Sequence, residues 1–392
     1  MNDPQASAAR RIADGVLIAL FLLAISLPVV DMIFKLDPTP NSEMRTLSPA
    51  PTFALNATAL KALPTQVKNW TADHFGFRNF MMRQHGLMKV FGLGVTSSSH
   101  VVLGKKDPAA TDPATAQWLF YAAYNTMNYS LHRKPFTFEQ LETWKRIMLR
   151  RQAWLKARGA RYVFVIAPNS QSIYPEFLPD ELQGVTQVTR ADQLIEHLRV
   201  NTDIEVIDLR HALRQARQAN PQQRLFHRTD THWNDVGSFY AYLDLAERLK
   251  LHYPSLKPLR WDQFEITRKT TQGGDLAGVL GGKDFFLEDR FDMVPRAPFV
   301  LRVARERHME PVIRASAPDP DKVRLVMFRD SFGEAMMSYL AEHFEKSLFV
   351  WTDQFDEQHL LDMKPTLVIT EIVERFLWRE VDESRWMMPA GK

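Results

Sequence analysis

Short apolar segments alternate with longer helical patterns through the second half of this chain, and this alternation restricts the fold more than any other feature. Five segments have the length and the β-branched or aromatic content of buried strands: 161–166, 204–207, 323–328, 348–351 and 366–369. Helical patterns lie between and after them: 191–199, 211–218, 236–249, 333–344 and 357–362. Strands that alternate with helices form mostly parallel sheets covered on both faces. We therefore predict an α/β sandwich, interrupted at its rim by the glycine- and proline-containing segment 257–320.

The N-terminal region contains a charge-free apolar segment of 15 residues, 16–30, preceded by Arg10 and Arg11. Counted from residue 13 to 34, a helix reaches the roughly 20 residues that a membrane span needs. We predict that residues 1–34 are a cytoplasmic tip and an uncleaved signal anchor, because basic residues before the segment favour an inside N-terminus and no small-residue cleavage site follows Leu27-Pro28. A cleaved signal peptide, a twin-arginine signal and a buried core helix are the alternatives.

Proline-rich polar sequence at 35–52 predicts a linker, and residues 53–392 are predicted to form one globular domain. The 392 residues, 45% of them apolar, suffice for a large core. A net charge of +3 argues against nucleic-acid binding as the main role. The absence of cysteine excludes disulfides, thiolate metal sites and a cysteine nucleophile.

Two short motifs predict a serine catalytic triad. The first is Asp230-Thr231-His232-Trp233, and the second contains Ser331, which lies 99 residues after His232 at the junction of a predicted strand and a predicted helix. A serine hydroxyl needs a base and an orienting group to become nucleophilic, and alternating residues of an extended segment can present Asp230 and His232 on one side. Ser331 could instead only cap its helix, and His232 could be a core histidine or, with Asp230 and the nearby His227, part of a metal site. No further ligand has suitable spacing, so we predict no metal.

The same motifs belong to an ordered set of segments that resembles one family. Asp73 to Arg78 (DHFGFR), Pro168 to Glu176 (PNSQSIYPE), the Asp-x-His-Trp motif and the Asp-Ser-Phe motif occur in the order found in alginate O-acetyltransferase proteins of the AlgJ and AlgX types. These are SGNH hydrolase-like proteins of bacterial exopolysaccharide assembly. One departure is the insertion 107–116, which separates a Val-Leu-Gly-Lys segment from Trp118-Leu119-Phe120-Tyr121 where the family runs straight on.

This resemblance implies an SGNH-like α/β/α domain that moves acetyl groups onto hydroxyls of an exopolysaccharide, alginate or similar, through an acetyl-serine. It implies a location at the inner membrane, on the periplasmic side, and a membrane-bound O-acyltransferase partner that supplies the acetyl group. No cofactor is expected. A polysaccharide acetylesterase with the same triad and a non-catalytic scaffold of an assembly complex are the alternatives, and the polymer stays open.

Several residues are candidates for binding substrate. The backbone of Ser331 is one expected oxyanion donor. Asn169 is a candidate for the second, with turn capping as the alternative, because Arg329 and Asp330 stand where SGNH enzymes usually have Gly-Asp. Arg329, together with Arg375 and Arg379, could hold an anionic sugar or form structural ion pairs. Tyr174 and Trp118 could stack on a sugar, as could Trp233, although packing beneath the turn is the commoner role for such a tryptophan. The segment 273–278 resembles a shaped loop over the cleft.

Overall fold

The computed structural model describes residues 4–39, 46–96, 100–131, 134–183, 188–301, 312–352 and 354–378, with the backbone alone for 4–10. It divides into two compact units, one formed by Met1–Ser98 with Gly278–Gly282 and the other by Ser99–Ala277 with Lys283–Lys392. The predicted division at residues 34 and 52 stays a prediction, and part of the predicted linker, 40–45, lies outside the described residues, as does Arg379.

The first unit consists of helices. They are α1 (Pro4–Phe34), α2 (Ala57–His74) and α3 (Arg78–Leu87), the last followed by a π-helical turn at Met88–Gly92. Within α1, Arg11–Phe34 is long and apolar enough to cross a membrane, with 24 residues and a mean hydropathy of 2.6. The predicted apolar N-terminal helix is therefore present, and a signal sequence would have the same properties.

A six-stranded sheet forms the centre of the second unit. Its strands are β3 (Arg161–Ala167), β4 (Glu205–Asp208), β7 (Val312–Ala315), β8 (Arg324–Arg329), β9 (Lys346–Trp351) and β10 (Leu367–Val373). They lie in the order β4-β3-β10-β8-β9-β7, and all neighbouring pairs are parallel except β7 with β9. Five of the six are the predicted strands, so the predicted mostly parallel sheet is confirmed.

Helices cover both faces of this sheet. The longer ones are α5 (Phe138–Lys156), α7 (Arg190–Asn201), α8 (Leu209–Ala219), α9 (Asp235–Lys250), α11 (Ser331–Leu340) and α12 (Glu357–Met363). Short helices α4 (Thr126–Ser130), α6 (Ser170–Ile173) and α10 (Asp275–Val279) lie in connections. Alternate residues of β3 enter two separate cores, Val163 and Val165 on one face and Phe164 and Ile166 on the other. This alternation is what a strand buried on both faces requires.

Two antiparallel hairpins were not predicted. They pair β1 (Val101–Lys106) with β2 (Gln117–Tyr121), and β5 (Phe264–Gln272) with β6 (Leu287–Pro295). The second hairpin lies in the predicted rim segment 257–320. Most of β5 is exposed, so its polar residues give no apolar pattern from which a strand could be predicted.

The register of the sheet brings three chain segments to one edge. Ala167 at the end of β3 pairs with Val373 at the end of β10, and Phe328 near the end of β8 pairs with Thr370. The residues that follow these three parallel strands therefore meet at the carboxyl edge, where open α/β sheets bind ligands.

Candidate active site

Ser331 is the first residue of α11, directly after β8. The helix cap is its neighbour Asp330, whose side chain accepts a hydrogen bond from the Phe332 N–H at 2.8 Å. The commoner structural role of a serine at a strand-to-helix junction is thus taken by the preceding aspartate. The Ser331 hydroxyl is left for another partner.

A tight turn presents Asp230 and His232. It is closed by an antiparallel bridge between Phe226 and Trp233 and by a hydrogen bond from the His227 N–H to the His232 carbonyl at 3.2 Å. Within the turn the His232 N–H donates to Asp230 Oδ1 at 3.1 Å. The backbone bends here and is not the extended segment that we expected, yet the bend also places both side chains on one side.

The three predicted triad side chains form a continuous chain of hydrogen bonds. His232 Nδ1 lies 2.7 Å from Asp230 Oδ1, and His232 Nε2 lies 2.8 Å from Ser331 Oγ. Both distances are normal for hydrogen bonds. His232 is 32% exposed, so a molecule arriving from solvent can reach this end of the site.

Charge and burial shift the pKa values of Asp230 and His232 in opposite directions. Burial alone would raise the pKa of the Asp230 carboxyl, but the hydrogen bond and the charge of His232 hold that pKa far below its usual value. Burial alone would lower the pKa of His232, but Asp230 raises it above its usual value. The pair therefore favours a carboxylate next to an imidazole that readily accepts a proton.

Asp275, the first residue of α10, supports the turn from a second chain segment. Its N–H donates to Asp230 Oδ2 at 3.0 Å, while its carboxylate accepts from the Thr231 N–H at 2.8 Å and from the Thr231 hydroxyl at 2.7 Å. The preceding Gly274 has no room for a side chain, because an added Cβ would lie 2.4 Å from Asp230 Cβ. We expected a shaped loop at 273–278, but nothing in the sequence showed that Asp275 would bond to this turn.

Asn169 follows β3 and is almost fully buried. It precedes α6, yet its side chain makes no capping hydrogen bond. Its Oδ1 lies 3.5 Å from Nη1 of Arg375, which also lies 3.4 Å from the Thr231 carbonyl oxygen, and its Nδ2 has no hydrogen-bond partner among the described residues. A buried amide donor without a partner is costly and needs an explanation.

The N–H groups at the start of α11 differ in their hydrogen bonds. Phe332 N–H donates to Asp330, and Gly333 N–H donates to Glu371 Oε2 at 3.0 Å. No hydrogen bond to the Ser331 N–H is formed by the part of the chain that the structure describes. One donor at a helix N-terminus thus stays available beside the Ser331 hydroxyl.

A family model for the SGNH hydrolase-like domain of the acetyltransferase AlgX matches residues 113–305. Residues 113–305 are therefore similar to an AlgX-type acetyltransferase domain. The predicted family resemblance is thus confirmed, and the fold is SGNH-like. The matched range contains Asp230 and His232 and ends before Ser331, which the fold brings to them.

Comparison with solved structures gives matches at low sequence identity. PatB1 of Bacillus cereus is 15% identical, with a TM-score of 0.52 over 71% of this chain and 97% of PatB1, which establishes a shared fold. The O-acetyltransferase domain of Pseudomonas putida AlgJ is 18% identical, with a TM-score of 0.45 over 74% of this chain and 95% of that domain. Pseudomonas aeruginosa AlgX is 16% identical, with a TM-score of 0.40 over 74% of this chain and 64% of AlgX. No curated protein sequence matches the chain significantly.

Three predicted substrate-binding side chains are not at an open surface. Arg329 is fully buried, bonds to Glu334 at 3.1 Å and lies over the Trp351 ring. Tyr174 is buried, and its hydroxyl accepts from the Leu225 N–H at 2.9 Å. Trp233 is buried against Phe332. The structure therefore gives these residues ion-pair and packing roles, and Trp118 is likewise fully buried.

Asp230, His232 and Asp275 of the AlgX-type domain have ligand atoms within 4.8 Å of one another, the spacing of a small metal site. Each of these groups is already hydrogen-bonded within the turn, as described above. His227, the third ligand that we considered, instead lies 4.0 Å from Glu288 Oε1. The arrangement suits an acid–base relay, and the absence of a metal stays a prediction.

The insertion that departs from the AlgX pattern packs against the turn. Asp107 forms an ion pair with Arg228, whose Nη1 also donates to the Thr115 carbonyl at 3.0 Å. Both members of the ion pair are buried. Glu288 of β6 accepts from the Thr229 N–H at 2.8 Å. The unpredicted hairpins and the insertion thus fix the segment that leads into Asp230.

Proposed function

We propose that this protein is an O-acetyltransferase that acetylates a bacterial exopolysaccharide through an acetyl-serine at Ser331. The supporting observation is the chain of hydrogen bonds from Asp230 through His232 to Ser331, at 2.7 and 2.8 Å, in a protein with an AlgX-type acetyltransferase domain. These hydrogen bonds, at the carboxyl edge of the sheet, hold the three groups at reaction distance before substrate arrives.

In the first half-reaction, Ser331 Oγ forms a bond to the acetyl carbonyl carbon while His232 Nε2 takes the proton of the Ser331 hydroxyl. The bond between that carbon and the donor's leaving atom then breaks, and His232 returns the proton to the leaving group. Asp230 holds the proton on His232 Nδ1, which keeps Nε2 free to accept.

The negative oxygen of the tetrahedral intermediate needs donors that are already in place. The Ser331 N–H is one, because it has no partner within the described residues. The Asn169 Nδ2 is the second, since Arg375 bonds to the amide oxygen and turns the NH₂ group away from itself. This assignment gives the buried, unpartnered amide a function.

In the second half-reaction, a sugar hydroxyl gives its proton to His232 and its oxygen attacks the acetyl-serine carbon. The ester bond to Ser331 Oγ breaks, and Oγ regains a proton from His232. The product is an O-acetylated sugar. Water in place of the sugar would release acetate and make the protein an esterase.

The N-terminal helix supports a location at a membrane. With α1 as a signal anchor, the second unit would face the periplasm at the inner membrane, and a membrane-bound O-acyltransferase would supply the acetyl donor from the other side. The chain's resemblance to the alginate acetyltransferase family supports this arrangement. Alginate is one of several polymers that fit.

The experiment uses the full chain in detergent with a labelled acetyl ester, with and without glycan acceptors. Label on the glycan supports the proposal, whereas free acetate alone identifies an esterase. Ser331→Ala should abolish both turnover and labelling by a fluorophosphonate probe, while Ser338→Ala, two turns along the same helix, should change neither. A folded protein that neither reacts with the probe nor turns over substrate would refute the catalytic proposal and favour a scaffold.

A further inference from the structure

An exposed apolar surface lies on α3 and the π-helical turn after it. Phe80, Met81, Met88 and Phe91 recur near helical spacing and are between 45% and 64% exposed. We refer to these four residues as the α3 stripe. Leu87 and Val90, on the neighbouring side, are buried. Large apolar side chains that are grouped and exposed commonly mark a binding surface.

The chain segment that contains the stripe carries charge of one sign. From residue 74 to residue 106 the sequence contains no aspartate or glutamate, while Arg78, Arg83 and Lys89 lie in or next to α3. A helix with aromatic and methionine side chains on one side and basic residues beside them has the composition of helices that lie in a membrane interface. Basic residues at that depth are attracted by anionic lipid headgroups.

Contacts within the first unit fix where α3 begins. The Phe77 N–H donates to Asp31 Oδ2 at 2.8 Å, and the Phe80 N–H donates to Asp37 Oδ2 at 3.1 Å. At Gly76 the backbone touches α1 so closely that an added Cβ would lie 1.9 Å from the Pro28 carbonyl oxygen. The start of α3 is therefore bonded to the last two turns of the candidate span.

The rise per residue of an α-helix gives the depth of these contacts in a membrane that α1 spans. At about 1.5 Å per residue, Pro28 lies about 8 Å and Asp31 about 13 Å from the midpoint of Arg11–Phe34. Half the hydrocarbon thickness of a bilayer is about 15 Å. A centred span would thus place Asp31, and the Phe77 N–H that bonds to it at the start of α3, within about 2 Å of the boundary between hydrocarbon and headgroups.

We propose that the α3 stripe inserts into the headgroup boundary of an anionic phospholipid bilayer beside α1, as a second membrane contact. A lipid surface is favoured over a protein partner because the contacts with α1 set the depth and the flanking charge matches anionic headgroups. The proposal depends on α1 spanning the membrane and does not depend on acetyl transfer.

The lack of cysteine in the natural sequence permits a direct test. Met88→Cys in the full chain is labelled with an environment-sensitive fluorophore and reconstituted into nanodiscs of phosphatidylcholine with phosphatidylglycerol. Leu251→Cys, at a residue that is 79% exposed in the second unit, is the matched control. Lipids with a quencher near the headgroup end of the acyl chain report the depth.

We expect a blue shift and quenching at position 88 and neither at position 251. The blue shift should decrease in Lys89→Gln and in discs of phosphatidylcholine alone. Emission typical of water at position 88 would overturn the proposal. A blue shift without lipid quenching would also overturn it, because it would show that protein covers the stripe. Acetyl ester turnover by the same samples tests the proposed function separately.

Discussion

Asp230→Asn tests the role of the carboxylate with almost no change in volume. The carboxylate accepts from three donors: His232 Nδ1 at 2.7 Å, the His232 N–H at 3.1 Å and the Asp275 N–H at 3.0 Å. An asparagine has one acceptor oxygen. If this oxygen faces His232, the NH₂ group faces the Asp275 N–H. Both groups are donors, so the hydrogen bond from Asp275 is lost. If the amide is reversed, the NH₂ group donates to Nδ1 and the ring proton moves to Nε2, which then cannot accept the Ser331 proton.

Both arrangements should lower kcat without unfolding the protein. The corresponding change in a serine protease triad lowers kcat about 10⁴-fold. Because the first arrangement keeps the correct tautomer at the expense of the Asp275 hydrogen bond, we expect a loss of about 10²- to 10⁴-fold. This range corresponds to about 3 to 5 kcal/mol of transition-state stabilisation.

The pH dependence of turnover distinguishes a direct effect of Asp230 on His232 from a nonspecific change in the structure of the site. Although burial lowers the pKa of His232, Asp230 raises it above the usual value, so wild-type turnover should rise with pH as the imidazole loses its proton. In Asp230→Asn that pKa falls, and the acid limb should move to lower pH while the plateau stays low. Steady-state turnover of an acetyl ester from pH 4 to 9 measures both, with circular dichroism as the check on folding. Full turnover, or a lowered plateau with an unmoved acid limb, would refute the role given to Asp230.

Three further variants test the surroundings of the triad. Asn169→Ala should lower kcat about 10²- to 10³-fold with little change in KM, as loss of an oxyanion donor does; an unchanged kcat would remove Asn169 from the mechanism. Gly274→Ala places a Cβ 2.5 Å from Asp230 Oδ2 and should reduce turnover at least about 10-fold, whereas Gly92→Ala, with no atom within 4 Å, should not; equal activities would contradict the close contact. Arg228→Met leaves the buried Asp107 without its ion-pair partner and should lower the free energy of unfolding by about 3 kcal/mol in denaturant titrations. Arg260→Met, in the exposed pair with Asp262, should cause a much smaller loss, and similar losses in the two variants would show that burial of the pair does not matter.

The helix boundaries illustrate how much local sequence specifies. Thr137 caps the long helix α5 and forms a capping box with Gln140, a pattern that threonine followed three residues later by glutamine specifies locally. The five buried strands were found because runs of branched and aromatic residues are conspicuous. β5 was missed because an exposed hairpin strand needs only its partner strand, not a run of apolar residues.

The candidate site shows the same division. Ser331, His232 and Asp230 could be named from two short motifs, since the chemistry restricts the residue types and the strand-to-helix junction restricts the place. Arg329, Tyr174 and Trp233 could not be assigned correctly, because an arginine or an aromatic residue near a strand end has the same local sequence whether it faces substrate or packs inside.

The sequence by itself predicted the mostly parallel sheet, its covering helices, the apolar N-terminal helix and the three residues of the proposed relay, because each follows from periodicity, length or chemical need within a short segment. Only the tertiary structure decided that Asp275 holds Asp230, that Arg375 lies against Asn169, and that the 107–116 insertion is bound by Arg228. These contacts join residues between 45 and 206 positions apart. Such pairings depend on how strands and loops are brought together in space, and no local pattern encodes them.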